Sequence, residues 1–249
     1  MDGKGWRFPT ADELAQHSIS VGTEDHLYGF LRIRELYFKA DPNYEGRFTV
    51  PVLWDKKLET IVSNESSEII RMLNTEFNSI LEGSYAEVDI YPKELQADID
   101  ALNSWIYDNI NNGVYKSGFA TSQEVYDKEV QNVFEHLDKV EAILKANVEK
   151  DPKNKFLLGA TLTEADLRLY PTLIRFDPVY HQHFKCNIKM LRHDYPYIHD
   201  WLRLLYWKIP GFKETTNFEH IKNHYTKSHI EINPHSITPF GPVPNIMPL

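Results

Sequence analysis

The fold is decided by the stretch Arg47-Phe48-Thr49-Val50-Pro51-Val52-Leu53-Trp54-Asp55. Its β-forming residues predict a strand over residues 48–54, and Thr60-Ile61-Val62, after a polar turn, predicts a second strand that completes a hairpin. The next residues, Asn64-Glu65-Ser66-Ser67-Glu68, have the polar side chains typical of a helix start. These residues alone favour a plain structural interpretation, in which Pro51 lies on an edge strand and Ser66 caps the helix.

Beyond residue 92 the sequence has the periodicity of helices. Apolar residues recur every three or four positions over residues 95–110 and predict a helix that ends at Gly113. The same spacing predicts a longer helix over residues 122–147. Thr163-Glu164-Ala165-Asp166 has the form of a capping box and predicts the start of a third helix. Residues 196–207 predict a further one.

These patterns divide the chain into two parts. Residues 1–84 are predicted to form a small α/β part, which includes a helix-like stretch over residues 27–38. Residues 85–249 are predicted to be all-helical, so the fold class is α+β to mostly α. The tail beyond Asn233 is rich in proline and predicts extended coil that lies on the surface or crosses to a partner.

The composition predicts a folded protein with a sizeable core. Of the 249 residues, 42% are hydrophobic and 25% are charged, and the net charge is −9. This acidic character argues against a nucleic-acid partner, since phosphate binding needs clustered Lys and Arg. No apolar run approaches the roughly 20 residues that span a bilayer, so no membrane partner is predicted. Cys186 is the only cysteine, which fits a reducing, cytoplasmic location.

Further blocks accompany the hairpin along the chain. They are Gly5-Trp6-Arg7-Phe8, Ile61-Val62 with Asn64-Glu65-Ser66-Ser67-Glu68-Ile69-Ile70-Arg71, Asn111-Asn112-Gly113-Val114-Tyr115-Lys116, Val133-Phe134-Glu135-His136-Leu137-Asp138, Leu162-Thr163-Glu164-Ala165-Asp166, Ile174-Arg175-Phe176-Asp177-Pro178-Val179-Tyr180, His183-Phe184-Lys185-Cys186-Asn187 and His224-Tyr225. Over nearly the whole chain, these blocks resemble the Xi class of glutathione transferases, the glutathionyl-hydroquinone reductases, and the fungal form most closely.

The resemblance implies a glutathione-transferase fold, with an incomplete thioredoxin-like subdomain over residues 1–84 and an all-α domain over residues 85–249. It implies a cis Val50–Pro51 bond, which lets Val50 pair with the main chain of bound glutathione. Ser66 and the amides at the helix start would hold a carboxylate of glutathione, and Glu65 would face its ammonium group. The glutathione contacts that the resemblance implies are Trp6, Arg47, Phe48, Thr49, Val50, Glu65 and Ser66.

The same resemblance implies a thiol exchange with glutathione as co-substrate. A cysteine thiolate attacks the sulfur of a glutathionyl-hydroquinone and releases hydroquinone, and a second glutathione resolves the mixed disulfide. Tyr115 matches the residue that serves the quinol oxygen as proton donor or acceptor. Tyr180 and Tyr225 match hydroxyls that lower the pKa of the cysteine.

The chain departs from the family at the nucleophile. The family's cysteine lies in a Cys-Pro-Trp-Ala-His-Arg block that should precede Gly5-Trp6, and this chain contains no such block. An incomplete gene model, a real shortened protein or a fragment of a longer protein would each explain the difference. Cys186 belongs to another block and is expected to be buried and inert.

Two functions remain open at this stage. One is a glutathionyl-hydroquinone reductase whose catalytic cysteine is missing from this chain, and the other is a catalytically silent glutathione-binding or scaffold protein. A transferase that activates glutathione through Ser66 or Tyr115 is disfavoured, because neither matches the activating position of those classes. The resemblance implies a homodimer, with glutathione and quinol conjugates as partners. No metal is predicted, since His181-Gln182-His183 lacks the companions of a zinc site.

Overall fold

The chain divides into two units, Met1–Val88 and Asp89–Leu249. The structure is a computed structural model and describes residues 5–16 and 22–249. The sequence analysis placed the division between residues 84 and 85. The first unit carries the hairpin, and the regular elements of the second unit are helices. The predicted fold class, α+β in the first part and all-α in the second, is confirmed.

An antiparallel hairpin lies at the centre of the first unit. Strand β1 (Leu53–Asp55) pairs with β2 (Thr60–Ser63). The first strand is shorter than predicted. Pro51 has no N–H to donate to a ladder, and the N–H of Thr49 is used locally, on the carbonyl of Arg47 at 3.1 Å. The helices of this unit are α1 (Ala11–Gln16), α2 (Ile33–Ala40) and α3 (Ser66–Thr75), with 3₁₀ turns at Asn78–Ile80 and Gly83–Glu87.

Helix α2 begins later than the sequence predicted, at Ile33 instead of residue 27. Gly29 has a φ of +68°, a left-handed conformation through which a helix does not continue. The carboxylate of Glu35 accepts hydrogen bonds from the N–H groups of Leu31 at 2.8 Å and Arg32 at 2.7 Å. These bonds satisfy amides that precede the first turn. The local chemistry around Glu35 therefore sets the helix start, whatever the apolar pattern upstream.

Helix α3 begins at Ser66, and Glu65 occupies the cap position with an extended backbone. The plain interpretation of Ser66 as a cap is therefore wrong. The Oγ of Ser63 accepts from the N–H of the cap residue Glu65 at 3.1 Å and donates to Glu68 in the first turn at 2.8 Å. Because Ser63 ends β2, these bonds join the helix start directly to the hairpin.

The second unit is a succession of helices around one apolar core. They are α4 (Gln96–Ile106), α5 (Gly113–Gly118), α6 (Gln123–Lys150), α7 (Glu164–Arg175), α8 (His181–His183), α9 (Leu191–Asp194), α10 (Pro196–Lys208) and α11 (Phe218–Ser228). The long helix α6 agrees with the helix predicted over residues 122–147, and the Oγ of Ser122 accepts from the N–H of Val125 at its start. Two π-helical turns, Tyr107–Asn111 and Phe176–Tyr180, extend α4 and α7.

Gly113 does not end a helix, as the sequence predicted, but begins α5. A Cβ atom at this position would lie 2.7 Å from Cγ2 of Val133 on α6. The glycine therefore permits a close approach between two helices, a role that local sequence does not reveal. Helix α5 carries Tyr115, one of the tyrosines singled out by the sequence analysis.

The capping box predicted at residues 163–166 is present at the start of α7. Asp166 is fully buried and accepts four hydrogen bonds. Their donors are the N–H of Leu157 at 3.0 Å, the N–H and Oγ1 of Thr163 at 3.1 and 3.2 Å, and Nε1 of Trp201 at 2.9 Å. One carboxylate thus joins a loop, the start of α7 and helix α10.

The proline-rich tail lies along helices of its own unit. Arg192 donates to the carbonyls of residues 244 and 245 at 3.1 and 3.0 Å. Trp207 donates to the carbonyl of Met247 at 2.9 Å, and Arg203 donates to that of Pro248 at 2.6 Å. Ile246, between these bonds, is buried. Of the two predicted placements of the tail, the structure shows the one on the chain's own surface.

Candidate functional site

The Thr49–Val50 segment of the first unit is held by hydrogen bonds from two side chains. The hydroxyl of Tyr37 donates to the carbonyl of Thr49 at 2.8 Å. Nδ2 of Asn64 donates to the Tyr37 hydroxyl and to Oγ1 of Thr49, both at 3.1 Å. Asn64 directly precedes Glu65, so these bonds tie the segment before Val50 to the start of α3. The sequence analysis assigned no role to Tyr37 and placed Asn64 only among the polar residues of the helix start.

The predicted glutathione contacts lie before α2, in the segment that leads to Pro51, and at the start of α3. The Val50–Pro51 bond is cis, as the resemblance implied, and Val50 is 41% exposed. Phe48 packs against the rings of Tyr37, Phe38 and Tyr44, with centroids 5.2–5.6 Å apart. Arg47 and Trp6, two further predicted contacts, each accept a hydrogen bond through the main-chain carbonyl. The carbonyl of Arg47 accepts from the Tyr44 hydroxyl at 3.1 Å, and that of Trp6 accepts from the N–H of Ile33 at 3.2 Å.

The start of α3 has the electrostatics of an anion site. Glu65 and Ser66 are both exposed. The first N–H groups of a helix have no intrahelical partner, and the helix dipole adds partial positive charge at the same end. Together these features suit a carboxylate at the start of α3. Asn64 ties this helix start to the segment before Val50, a residue that is itself exposed.

The three tyrosines predicted from the sequence meet in the second unit. The hydroxyl of Tyr225 on α11 lies 2.7 Å from that of Tyr180 and 2.5 Å from that of Tyr115. Tyr180 and Tyr225 are buried, with 2% and 5% of their surface exposed, whereas Tyr115 is 38% exposed. The hydroxyls therefore form a chain that leads from the core to the surface.

The protons of this chain are ordered outward. The hydroxyl of Tyr180 is buried, and Tyr225 is its hydrogen-bond partner among the described residues. If Tyr180 only accepted, its own proton would be buried without an acceptor, at a cost of about 1–3 kcal/mol. Tyr180 therefore donates to Tyr225, and Tyr225 donates to Tyr115. The proton of the exposed Tyr115 is left to donate to a bound group.

Burial keeps the inner two phenols neutral. It raises the pKa of Tyr180 well above the ordinary value, and the nearby Tyr225 and Tyr115 add to the effect. Burial also raises the pKa of Tyr225, again with a contribution from Tyr115. Both side chains therefore act as hydrogen-bond donors at neutral pH.

Aromatic side chains that the sequence analysis did not single out surround the tyrosine chain. The ring of Phe184 stacks on Tyr180 at 5.4 Å and meets Tyr115 edge-on at 5.2 Å. Phe119, one helical turn after Tyr115, is 45% exposed and packs on Phe184 at 5.4 Å. The exposed end of the hydroxyl chain is thus bordered by apolar rings.

Cys186 is buried, as expected from the sequence. Its Sγ lies 3.9 Å from the carbonyl oxygen of Phe184. Burial raises the pKa of the Cys186 thiol to about 12. A thiol in this state is not a nucleophile at neutral pH.

Neither a metal cluster nor a membrane span is found in the parts of the chain that the structure describes. Within residues 5–16 and 22–249, no three His, Cys, Asp or Glu side chains come together as metal ligands would. Over the same residues, no helix combines the length and apolar character required to cross a bilayer.

Comparison with known proteins places the chain among glutathione transferases. Residues 123–204 match the model of the glutathione S-transferase C-terminal domain. The chain is 55% identical over 247 residues to glutathione S-transferase omega-like 2 of Schizosaccharomyces pombe, a match covering 99% of this chain and 75% of that protein. It is 52% identical over 238 residues to glutathionyl-hydroquinone reductase YqjG of Escherichia coli, covering 96% of this chain and 67% of that protein.

A solved structure agrees over the full chain. The Xi glutathione transferase ECM4 of Saccharomyces cerevisiae, in complex with glutathione, superimposes with a TM-score of 0.92 at 50% identity, covering 100% of this chain and 83% of that one. Fold and sequence together define a glutathione transferase. Within that class, the chain belongs to the Xi-class, omega-like glutathione S-transferases, which confirms the family predicted from the sequence blocks.

Proposed function

We propose that this chain binds glutathione and quinol conjugates and serves the glutathionyl-hydroquinone reductase reaction. The observation that carries the proposal is the outward hydroxyl chain, which ends at the exposed Tyr115. Such a chain presents a donor backed by two neutral phenols, and a quinol oxygen is a matching acceptor. The relative from Escherichia coli is named for this activity, and the solved structure of ECM4 contains glutathione.

Glutathione is proposed to lie against the Thr49–Val50 segment and the start of α3. The main chain of Val50, an exposed residue, would pair with the peptide, as one strand pairs with another. Ser66 and the first amides of α3 would hold a carboxylate, and Glu65 would attract the ammonium group. Trp6, Arg47, Phe48 and Thr49 complete the proposed contacts; Tyr37 and Asn64 hold the segment in position.

The proposed chemistry is a thiol exchange in two steps. A cysteine thiolate forms a disulfide with the glutathionyl sulfur; the carbon–sulfur bond breaks, and its electron pair passes to the quinol ring, which takes up a proton. A second glutathione thiolate attacks the mixed disulfide, which releases oxidised glutathione and restores the cysteine thiolate. Tyr115 donates to the quinol oxygen during the first step. The sequence analysis assigned Tyr180 and Tyr225 to lowering the pKa of the cysteine; because their protons are used within the hydroxyl chain, their proposed role is to hold Tyr115 in place. The thiolate is the cysteine of the family's Cys-Pro block, since Cys186 is buried.

The test compares the chain of residues 1–249 with the same chain joined to the cysteine-containing segment of its Schizosaccharomyces pombe relative. Each protein is incubated with glutathionyl-menadiol and glutathione, and free menadiol is measured. We expect the joined protein to be active and Tyr115→Phe to lower its rate by about 10²-fold, the range of general acid catalysis. Tyr107→Phe, a change at another exposed tyrosine of the same unit, is the matched control. An inactive joined protein that binds glutathione would refute the reductase proposal.

A second candidate function is favoured by the burial of Cys186, the one cysteine of the sequence. In this function, the chain of residues 1–249 binds glutathione or a protein partner without thiol transfer. Release of menadiol by residues 1–249 alone would exclude it. Titration calorimetry with glutathione measures the binding that the reductase function requires of the Val50 segment and distinguishes a silent glutathione-binding protein from a scaffold.

Location and assembly are part of the proposal. We propose a cytoplasmic homodimer, on the basis of the single cysteine and the family resemblance. Light scattering coupled to size exclusion distinguishes a dimer from the 29.2 kDa chain. Fractionation of source cells tests the location.

A further inference from the structure

Two histidines next to the tyrosine chain are hydrogen-bonded to each other. Nε2 of His183 lies 3.1 Å from Nδ1 of His229, and the two rings are inclined by 25°. His183 is buried, with 4% of its surface exposed. A bond between two imidazoles requires an N–H on one facing nitrogen and a lone pair on the other. Protonation of both facing nitrogens would oppose two donors and break the bond.

This histidine pair joins the two segments that carry the inner tyrosines. His183 follows Tyr180 by three residues, and His229 follows Tyr225 by four, directly after the end of α11. The histidine bond and the hydroxyl bond between Tyr180 and Tyr225 therefore connect the same two segments at neighbouring points. The ring of Tyr225 also contacts both imidazoles, at centroid distances of 6.3 and 5.5 Å.

We propose that His183 and His229 form a clasp that positions the Tyr225 hydroxyl between Tyr180 and Tyr115, and that acid opens this clasp. They are positioning residues, because they act through Tyr225 and not on a substrate. The catalytic consequence of the clasp rests on the proposed function, whereas its effect on Tyr225 does not.

The surroundings of the clasp disfavour protonation. Burial is the main cause that lowers the pKa of His183 to about 4, and His229 and Lys185 add to it. Burial also lowers the pKa of His229. Lys185 on the turn after α8 acts on His183, and the ring of His224 on α11 lies 6.1 Å from that of His229. Arg175 at the end of α7 acts in turn on His224. All three are cationic when charged and oppose a further proton on the clasp.

The clasp is tested by ¹⁹F NMR of the full chain with 3-fluorotyrosine at position 225. As the pH falls from 7.5 to below the lowered pKa of His183, about 4, we expect the ¹⁹F resonance to move together with the ring signals of His183 and His229. In His183→Gln/His229→Asn, amides replace the two facing nitrogens and keep a hydrogen bond that does not titrate. We expect its resonance to stay near the neutral-pH position. A wild-type resonance that does not move while both histidines titrate, or equal movement in the double variant, would overturn the proposal.

A second variant tests the clasp at neutral pH, where the acid stability of the protein plays no part. His183→Phe keeps an aromatic ring but removes the hydrogen bond, so we expect its resonance at pH 7.5 to be displaced from the wild-type position. An unchanged resonance in a folded His183→Phe protein would also overturn the clasp.

The kinetic consequence is measured on the joined protein that has reductase activity. We expect His183→Phe to lower kcat by about tenfold with little change in KM, as displacement of a catalytic group does. We expect His183→Gln to recover most of the rate and to reduce its loss at acidic pH. An inactive joined protein with a responsive ¹⁹F signal would refute the proposed function and leave the clasp. An active joined protein whose ¹⁹F signal does not respond to pH would refute the clasp and leave the proposed function.

Discussion

Replacing Tyr225 with phenylalanine removes the hydroxyl on which the two other tyrosines depend. Tyr180 then has a buried proton without an acceptor, since its hydroxyl is 2.7 Å from that of Tyr225 and the residue is 2% exposed. The penalty for such a donor is about 1–3 kcal/mol, and each lost hydrogen bond adds about 1 kcal/mol. Water replaces the partner of the more exposed Tyr115. We expect the free energy of unfolding to fall by about 2–4 kcal/mol.

The matched change is Tyr180→Phe. It removes the innermost proton together with its bond, so Tyr225 loses a donor to its oxygen but still donates to Tyr115. We expect a loss of about 1 kcal/mol, the net value of one hydrogen bond. In the double variant Tyr180→Phe/Tyr225→Phe, no buried proton is left without an acceptor. Its loss should be smaller than the sum of the single losses by about 1–2 kcal/mol.

Urea unfolding at pH 7 measures all three variants against the wild type. Circular dichroism follows the helices of the second unit, and an unchanged dependence on urea concentration shows that the unfolded states are comparable. A Tyr225→Phe loss no greater than that of Tyr180→Phe, or strictly additive losses, would refute the outward order of the protons. It would also remove the structural reason for regarding Tyr115 as the donor to substrate.

Four further measurements test other parts of the structure. Asp166→Ala leaves four donors without their acceptor and should cost about 3–5 kcal/mol in urea unfolding, the range for large core defects. Cys186 should react with a thiol reagent such as dithionitrobenzoate only after denaturation, because burial raises its pKa to about 12. Burial lowers the pKa of His183 and His224 from 6.5 to about 4. As the pH falls, the unfolded state therefore takes up these protons before the folded state does. We expect the contribution of the two neutral rings to the free energy of unfolding to be fully present above about pH 6.5 and to decrease towards pH 4, by up to about 1.4 kcal/mol per pH unit for each ring. Tyr37→Phe should weaken glutathione binding about fivefold in titration calorimetry, because one hydrogen bond of about 1 kcal/mol no longer holds Thr49.

Each of these expectations has a contrary result. A loss below about 1 kcal/mol for Asp166→Ala would show that water or a shift of the chain replaces the carboxylate. Rapid labelling of native Cys186 would show that its site opens in solution. Stability that stays level between pH 6.5 and 4 would contradict the burial of the two histidines as neutral rings. The glutathione affinity of Val50→Pro is measured alongside as a main-chain control. If Tyr37→Phe leaves the affinity unchanged, Tyr37 does not contribute to the proposed glutathione site.

Local chemistry in the sequence was enough to predict the framework of the fold. The capping box at Thr163 and the polar start before Val125 each act within three or four residues, so the starts of α6 and α7 were predictable. The start of α2 was not, because Gly29 and the carboxylate of Glu35 outweigh the apolar pattern there. Both signals are nevertheless local. The acidic residue three positions after Arg32 is the one from which the start of α2 could have been predicted.

Gly113 shows a different limit. A glycine after an apolar run is typical of a helix end, and the sequence was interpreted that way. In the structure, the lack of a side chain is needed because Val133, twenty residues away, would lie 2.7 Å from a Cβ atom. Only the packing of α5 against α6 distinguishes the two uses of glycine, and that packing is not local information.

The tyrosine chain depends on non-local contacts even more strongly. Tyr180 ends a π-helical turn in which all five residues, Phe176–Tyr180, are buried, so no amphipathic period marks it out. Its partner Tyr225 is 45 positions away, and the histidines that join the same segments are 46 apart. Periodicity could not bring these residues together, and it was the resemblance of their sequence blocks that predicted the three tyrosines. His183 lay in one of these blocks and His229 in none, and neither had an assigned role in positioning the tyrosines, so the geometry of the pair had to be found in the structure. A hydrogen bond that positions a catalytic donor can join residues far apart in the chain, and helix or strand periodicity does not reveal it.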